Sequence, residues 1–363
     1  MNEQLYSQFD DFVKGISNKD KIALIHDIDP DGICSGVVTH HALQRLRGRG
    51  IDVVHHQKPG EIPLTKKTLE VLKNKKITKV ITTDKAVDQE PEIVEDIAQF
   101  ADVLIIDHHK VYFDFNQRKY PHRILLMKPQ ILGSPVDPSR YCTSKLAYDL
   151  WSRHVDLEDV AWKACPGIVG DIAYASWKNF VDKEIKKYKG RTPKNPFDNI
   201  FGRIAELISQ TECYDYRQMK KVFQILFTAR RPHEVLNSSL KKYAKVIQKE
   251  IDYYAKNVKK LAEFHPGKEL IFYFLKSAHN IKSNLSTILS MKYPHMTLIT
   301  CADQGTFVAL SLRRQDQKVK MNDLVEKALQ GLEGSGGGHI PAAGGRVTKK
   351  DFLKFKKRIL EML

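Results

Sequence analysis

The chain has 363 residues and a mass of 41.7 kDa, with 42% hydrophobic and 28% charged residues; this globular mix excludes a wholly disordered chain, a collagen and a disulfide miniprotein. Lys plus Arg number 59 against 43 for Asp plus Glu, a net of +16, which favours a polyanionic partner such as nucleic acid or an anionic surface, with solubility alone as the bland account. The longest apolar runs, Val103–Ile106 and Ile124–Met127, fall far short of the ~20 residues of a membrane helix, and five scattered cysteines without a CxxC pair suggest neither a disulfide frame nor a thiolate zinc site.

The chain opens on the polar, acidic MNEQLYSQFDD, which is no secretory signal, so a cytoplasmic protein is expected. Short apolar runs then alternate with amphipathic ones. Strands are predicted over 22–28, 51–56, 79–84 and 102–109, and helices over 37–46, 64–74 and 91–100. This alternation implies βαβ units and a mostly parallel sheet. Residues 138 to about 177 read as helical. Residues 178–260 hold 20 Lys or Arg and 9 Asp or Glu, so most of the net charge lies here, interleaved with Tyr188, Phe197, Phe201, Tyr214, Tyr216, Phe223, Tyr243 and Tyr253. The pattern is helical without a strand: either a solvated connector with core aromatics, or a basic wall that guides a phosphate backbone and stacks bases. His265-Pro266-Gly267 marks a break. Strands over 269–275, 296–302 and 306–314, with helices near 281–292, 320–330 and 348–363, then predict a smaller α/β domain. The expected division is 1–177, a basic helical connector over 178–267, and 268–363.

What ends the strands matters most. IALI runs into His26-Asp27-Ile28-Asp29-Pro30-Asp31-Gly32, KVITT ends at Asp84, and VLII ends at Asp107-His108-His109. In an open parallel sheet, ligands sit outside the carboxyl ends of the strands. Three segments therefore bring Asp and His to one edge. Carboxylates this close repel one another and raise each other's pKa; a divalent cation removes that penalty, and a carboxylate–imidazole set suits Mn²⁺, Mg²⁺ or a related ion. DPDG by itself is also a common turn sequence. His40-His41 and His55-His56 read as structural or surface pairs with one member on either side of the element. Trp151, Trp162 and Trp177 read as core.

These segments resemble the DHH phosphoesterases, a family that includes RecJ-type exonucleases, oligonucleotide-degrading nanoRNases and family II pyrophosphatases. HDIDPDG (26–32) resembles the first motif, TTD (82–84) the second, and DHH (107–109) the third; Asp171 in VGDIAYA fits the fourth. GSGGGHIPAAGG (334–345) resembles the glycine–histidine motif of the family's associated C-terminal domain, and SLRR (311–314) its substrate-binding Arg strand. The resemblance covers nearly the whole chain. Lys85 stands where many relatives have a small or polar residue, either His26 or Asp27 could take the place some members give to histidine, and the C-terminal oligonucleotide-binding domains of the large bacterial RecJ enzymes have no visible counterpart.

The resemblance implies two metal ions about 3.5–4 Å apart and a metal-activated water as nucleophile. Mn²⁺ is the expected ion, with Mg²⁺ or Co²⁺ as alternatives. By the family pattern Asp27 and Asp29 serve one ion, Asp31, His108 and Asp171 the other, and Asp84 bridges both. Asp107 is expected to orient the histidines and His109 to touch a phosphate oxygen or the bound water. Gly336, Gly337 and Gly338 offer backbone N–H groups for close approach to phosphate, and Arg313 and His339 a grip on a terminal nucleotide; a flexible turn is the plain reading of the glycines. An active-site cleft between the domains is expected. The function implied is a metal-dependent exonuclease that releases mononucleotides from short single-stranded RNA or DNA, with 3′→5′ direction on the pattern of the smaller relatives. Alternatives are a phosphoesterase acting on linear or cyclic dinucleotides or pyrophosphate, and a non-catalytic nucleic-acid scaffold. No membrane partner is expected; a homodimer and replication or repair partners stay open.

Overall fold

A computed structural model describes residues 2–56, 64–191 and 193–363, apart from the side chain of His339. The chain divides into two compact units, Met1–Lys241 and Lys242–Leu363.

The first unit contains α1 (Glu3–Lys14), β1 (Ile22–His26), α2 (Pro30–Arg47), β2 (Val53–His56), α3 (Lys66–Asn74), β3 (Lys79–Thr83), α4 (Pro91–Ile97), β4 (Asp102–Ile106), β5 (Ile124–Met127), α5 (Pro129–Leu132), α6 (Thr143–Trp151), α7 (Cys165–Gly170), α8 (Lys178–Lys187), α9 (Ile200–Tyr214), α10 (Met219–Thr228) and α11 (Pro232–Leu236). Its strands run in the order β2-β1-β3-β4-β5, and every neighbouring pair is parallel. Strands buried on both faces read as continuous apolar runs, and Ile22–Ile25 and Leu104–Ile106 are fully buried. On one face, Ala23, Ile25, Val80, Val103 and Ile105 pack against Leu72 of α3 and Val94 and Ile97 of α4. On the other face, α1, α2 and α6 cover the sheet. Helix α1 buries Leu5, Phe9, Phe12 and Val13 at helical spacing, and its cap, Asn2, accepts from the Leu5 N–H.

The order reverses between β1 and β3, which leaves a crevice at their carboxyl ends. The structure starts α2 at Pro30 rather than near residue 37. Asp29 caps the helix by accepting from the Gly32 N–H, Pro30 takes the first turn, and Gly48, at φ +69°, ends it. DPDG is thus a helix start at the mouth of the crevice. Gly32 is required there, because a Cβ would lie 2.5 Å from the Asp27 carbonyl oxygen.

The basic segment expected as a connector is divided between the units instead. Helix α9 packs on α7 and α10 on α2, because their apolar faces need the first unit's core. Phe201 and Phe223 are core residues, whereas Tyr253 stays exposed. His40 and His41 do not lie on opposite sides: both rings meet Phe227, with centroids 4.2 and 4.5 Å away. Trp151 and Trp162 are buried as expected; Trp177 is half-buried, and its Nε1 donates to the Arg140 carbonyl.

The second unit contains α12 (Lys241–Lys256), whose first residue is the last of the first unit, then α13 (Val258–Leu261), β6 (Glu263–His265), β7 (Leu270–Leu275), α14 (Lys282–Lys292), β8 (Thr297–Gln304), β9 (Phe307–Arg313), α15 (Met321–Leu329), β10 (Gly334–His339), β11 (Ala342–Thr348) and α16 (Phe352–Met362). The strand order is β10-β11-β9-β8-β7-β6, antiparallel except for β7 with β8. The glycine run is not a flexible turn but the paired strands β10 and β11. Two of its glycines serve packing: a Cβ on Gly336 would lie 2.8 Å from Val325 of α15, and one on Gly345 would lie 2.9 Å from the Ser335 carbonyl. Among the described residues, no helix is long and apolar enough to cross a membrane.

Replacing Gly32 by Ala is expected to destabilise the protein by at least about 2 kcal/mol, the scale of overpacking against a backbone that cannot yield. Urea unfolding with an unchanged m-value measures this; an unaltered midpoint would mean that the α2 entry is not as close as described.

Candidate metal centre

The carboxyl ends of β1, β3 and β4 deliver the expected groups to one place. Asp84 is nearly fully buried and has φ +59°, a conformation uncommon outside glycine and asparagine. Its Oδ1 accepts from Thr143 Oγ1 at 2.9 Å and lies 3.6 Å from His108 Nε2 and 4.0 Å from His109 Nδ1. The ligand atoms of Asp84, His108 and His109 all lie within 4.8 Å of one another. His108 Nδ1 lies 3.7 Å from Asp171 Oδ2. Those two atoms are buried and neither has a hydrogen-bond partner. A buried imidazole nitrogen facing a buried carboxylate oxygen across this gap fits a cation between them.

The three aspartates of the first motif differ in their surroundings. Asp31 is buried, and its two oxygens accept from the N–H groups of Thr143 and Ser144 at the start of α6, at 2.7 and 2.9 Å. Asp29 caps α2 and keeps a solvent-facing side. Asp27 Oδ1 accepts from the Ile28 N–H, and Oδ2 lies 3.2 Å from Lys85 Nζ. His26 is buried and stacked on Phe223, with centroids 5.0 Å apart.

Asp107 holds its neighbours rather than facing the gap. Its Oδ1 accepts from His109 Nδ1 at 2.7 Å, and its Oδ2 pairs with Lys128 Nζ at 2.9 Å. Lys128 is fully buried, bridges to Asp88 at 2.8 Å and donates to the Lys110 carbonyl. Gln130 donates to the carbonyls of His108 and His109. The DHH segment is therefore fixed from below by one buried cation shared between two carboxylates.

Electrostatics follow from this crowding. Desolvation, then Asp27 and Asp31, push Asp29 up to about 7. Burial, followed by Asp31, Asp29 and Asp27, raises Asp84 well above the carboxylate range; burial and then Asp31 and Asp29 do the same to Asp171. Burial opposes the charge on His109, but Asp107's charge and hydrogen bond outweigh it and push His109 up to about 9. Burial also disfavours charge on Asp107, yet His109 and Lys128 hold it well below its usual range. Desolvation holds His108 below the ordinary imidazole value. A bound cation would relieve the repulsion among carboxylates crowded in this way.

Sequence reasoning missed several members. Cys142 lies with Asp31 and Asp171, their ligand atoms within 4.8 Å. Burial, then Asp31 and Asp171, push its thiol up, so it stays protonated and is a poor ligand. Thr143 and Lys128 were also missed. Lys128 directly follows the apolar run 124–127, the same strand-end signal that marked Asp84 and Asp107.

In the second unit, register places Arg313, Ala342 and His339 in one row across β9, β11 and β10. Arg313 is half-buried and donates to the carbonyls of Leu312 and Ala343. Arg314 is buried, and pairs with Asp316 and Glu269 instead. Gly337 and Gly344 face one another, and a Cβ on either would meet nothing closer than 3.7 and 3.8 Å. Sterics within the unit do not demand glycine at these two positions. Gly338 does need it, at φ +144° with the Ala342 carbonyl 2.6 Å from any Cβ.

The sequence matches the family model for the DHH family, N-terminal domain, over residues 21–169 and that for the DHHA1 domain over residues 270–363. No curated protein matches it. Among solved structures, a DHH domain described as a member of a family of ribosomal proteins is 14% identical, with a TM-score of 0.73 over 99% of this chain and 89% of that one. RecJ from Thermus thermophilus, in complex with Mn²⁺, is 18% identical, with a TM-score of 0.68 over 98% of this chain and 53% of that one. An exonuclease RecJ bound to manganese is 17% identical, with a TM-score of 0.66 over 98% of this chain and 92% of that one. At these identities the likeness is one of fold. This chain thus spans about half the length of the Thermus protein and most of the other two.

Stability should report the crowded carboxylates. A group whose pKa is raised on folding adds stability that is present below its unfolded value and lost as pH climbs through the folded one. His109 loses it between 6.5 and about 9, and the more exposed, solvent-screened Asp29 a smaller share between 3.8 and about 7. The metal-stripped protein is therefore expected to melt lower at pH 8 than at pH 6, and saturating Mn²⁺ to raise Tm more at pH 8. An equal Mn²⁺ effect at both pH values, read by calorimetry, would contradict the crowding.

Proposed function

Because the chain belongs to the DHH family of phosphoesterases and carries the DHHA1 domain, we propose that this phosphoester hydrolase is a divalent-metal-dependent exonuclease. It takes short single-stranded RNA or DNA from an end and releases mononucleotides, in the 3′→5′ direction. The observation that carries the reading is the facing pair of buried, unpartnered atoms on His108 and Asp171 beside a raised Asp84. A scaffold without chemistry would have no reason to hold such a constellation.

Asp27, Asp29, Asp31, Asp84, His108 and Asp171 would hold the ions, two of Mn²⁺ in this proposal. When bound, they would neutralise phosphate charge and activate a water for in-line attack at phosphorus. The chain's own residues do the rest. Thr143 fixes the Asp84 carboxylate by its hydrogen bond. Asp107 accepts a hydrogen bond from His109 Nδ1–H, so the raised imidazolium keeps its Nε2–H for a phosphate oxygen. No side-chain nucleophile is needed, and no covalent intermediate is expected.

Substrate grip falls to the second unit in this reading. The Arg313–Ala342–His339 row and the uncrowded pair Gly337 and Gly344 suit a terminal nucleotide phosphate lying on exposed backbone. The surplus of lysine and arginine in 178–260 favours a polymer over pyrophosphate.

The test assays end-labelled ssRNA and ssDNA, a dinucleotide, pyrophosphate and bis-p-nitrophenyl phosphate on metal-stripped protein. Activity is expected to be absent in EDTA and restored by Mn²⁺ better than by Ca²⁺. Asp84→Ala should lower kcat by several orders of magnitude with the circular dichroism unchanged. Arg313→Ala should lower oligonucleotide turnover by roughly 10-fold to 10²-fold, the scale of one charge-assisted contact, and that of the small activated ester much less. Full activity without metal would overturn the metal reading. Equal losses of Arg313→Ala on both substrates would place Arg313 in the chemistry, and preference for pyrophosphate would overturn the exonuclease.

A further inference from the structure

The cation-binding half of the site is not uniform. Around Asp84, His108 and Asp171, no ammonium or guanidinium lies within ion-pairing distance among the described residues, and two polar atoms are unpartnered. Around Asp27 the situation is reversed. Lys85 follows Asp84 directly, and the left-handed backbone at Asp84 turns the chain there. The Lys85 side chain is only 10% exposed, and its Nζ lies 3.2 Å from Asp27 Oδ2. The other oxygen, Oδ1, already accepts from the Ile28 N–H. Asp27 thus has a lysine ammonium against it, whereas Asp84, His108 and Asp171 have no lysine or arginine within ion-pairing distance among the described residues.

We infer that Lys85 is an internal counter-cation that weakens one of the two metal positions. The ammonium engages the Asp27 oxygen that is not committed to the Ile28 N–H. A second divalent cation must displace it and then sit beside a buried positive charge, and like charges at such a separation interact strongly in a partly desolvated site. The centre therefore fills in two unequal steps. The position lined by Asp31, His108 and Asp171 fills first, and the Asp27 position fills only at higher metal concentration. A lysine at this place is a specificity device for metal occupancy rather than a ligand. The inference rests on the metal reading of the proposed function, but its test does not depend on turnover.

The test is direct Mn²⁺ binding to the full-length, metal-stripped protein, followed by isothermal titration and by the loss of the free-ion EPR signal. The wild type is expected to bind one Mn²⁺ tightly and one weakly. Lys85→Met removes the charge while keeping a long apolar stem, and should tighten the weak step by ~10-fold or more while leaving the tight one unchanged. Lys85→Arg keeps the charge and should leave both steps as in the wild type; Lys85→Gln is a second neutral variant should the Met form fail to fold. Identical two-step binding in the wild type and the neutral variants would overturn the role of Lys85 alone. Absence of Mn²⁺ binding in all of them would overturn the metal reading itself.

Discussion

Carboxylates packed side by side in a buried crevice cannot all be charged unless a cation joins them, and that constraint organises the first unit. Burial and then the charges of Asp31 and Asp29 raise Asp84 and Asp171, and desolvation and then Asp27 and Asp31 raise Asp29. Two internal cations relieve part of the strain. Lys128 neutralises Asp107 and Asp88 beneath the DHH segment, and Lys85 meets Asp27 at its edge. The remaining deficit, centred on Asp84, His108 and Asp171, is what a divalent ion would fill.

The fold creates this crowding through backbone devices more than through side-chain packing. The reversal of strand order between β1 and β3 opens the crevice. Gly32 lets α2 start against the Asp27 backbone, so that Asp29 caps the helix and Asp31 reaches the N–H groups of α6. Gly167 admits the same region of α7, since a Cβ there would lie 2.8 Å from Asp31 Oδ1. The start of α6 thus meets Asp31 with two N–H donors, and Gly167 leaves room for its carboxylate.

Much of this was legible in the sequence, because strand ends are marked by an abrupt change from β-branched residues to Asp and His. The β1, β3 and β4 ends were found that way. The extent of α2 was not, since DPDG reads equally well as a turn and only the tertiary approach of Asp27 to Gly32 makes it a helix start. The basic segment misled because its charge is on the surface of helices whose buried faces belong to two different units. The hairpin β10–β11 was hidden by glycine, which has no side chain to show a period of two. Cys142 and Thr143 lie far from the acidic motifs in sequence, and only folding brings them to Asp31, Asp171 and Asp84.

A cation site, rather than a polar loop, at the acidic strand ends is open to direct detection. Anomalous X-ray scattering from crystals grown with Mn²⁺ tests it most directly. A manganese peak is expected within coordination distance, roughly 2.0–2.6 Å, of a carboxylate oxygen of Asp84 and of a His108 nitrogen. Anomalous maps without a peak at Asp84, His108 and Asp171 under saturating Mn²⁺ would contradict it.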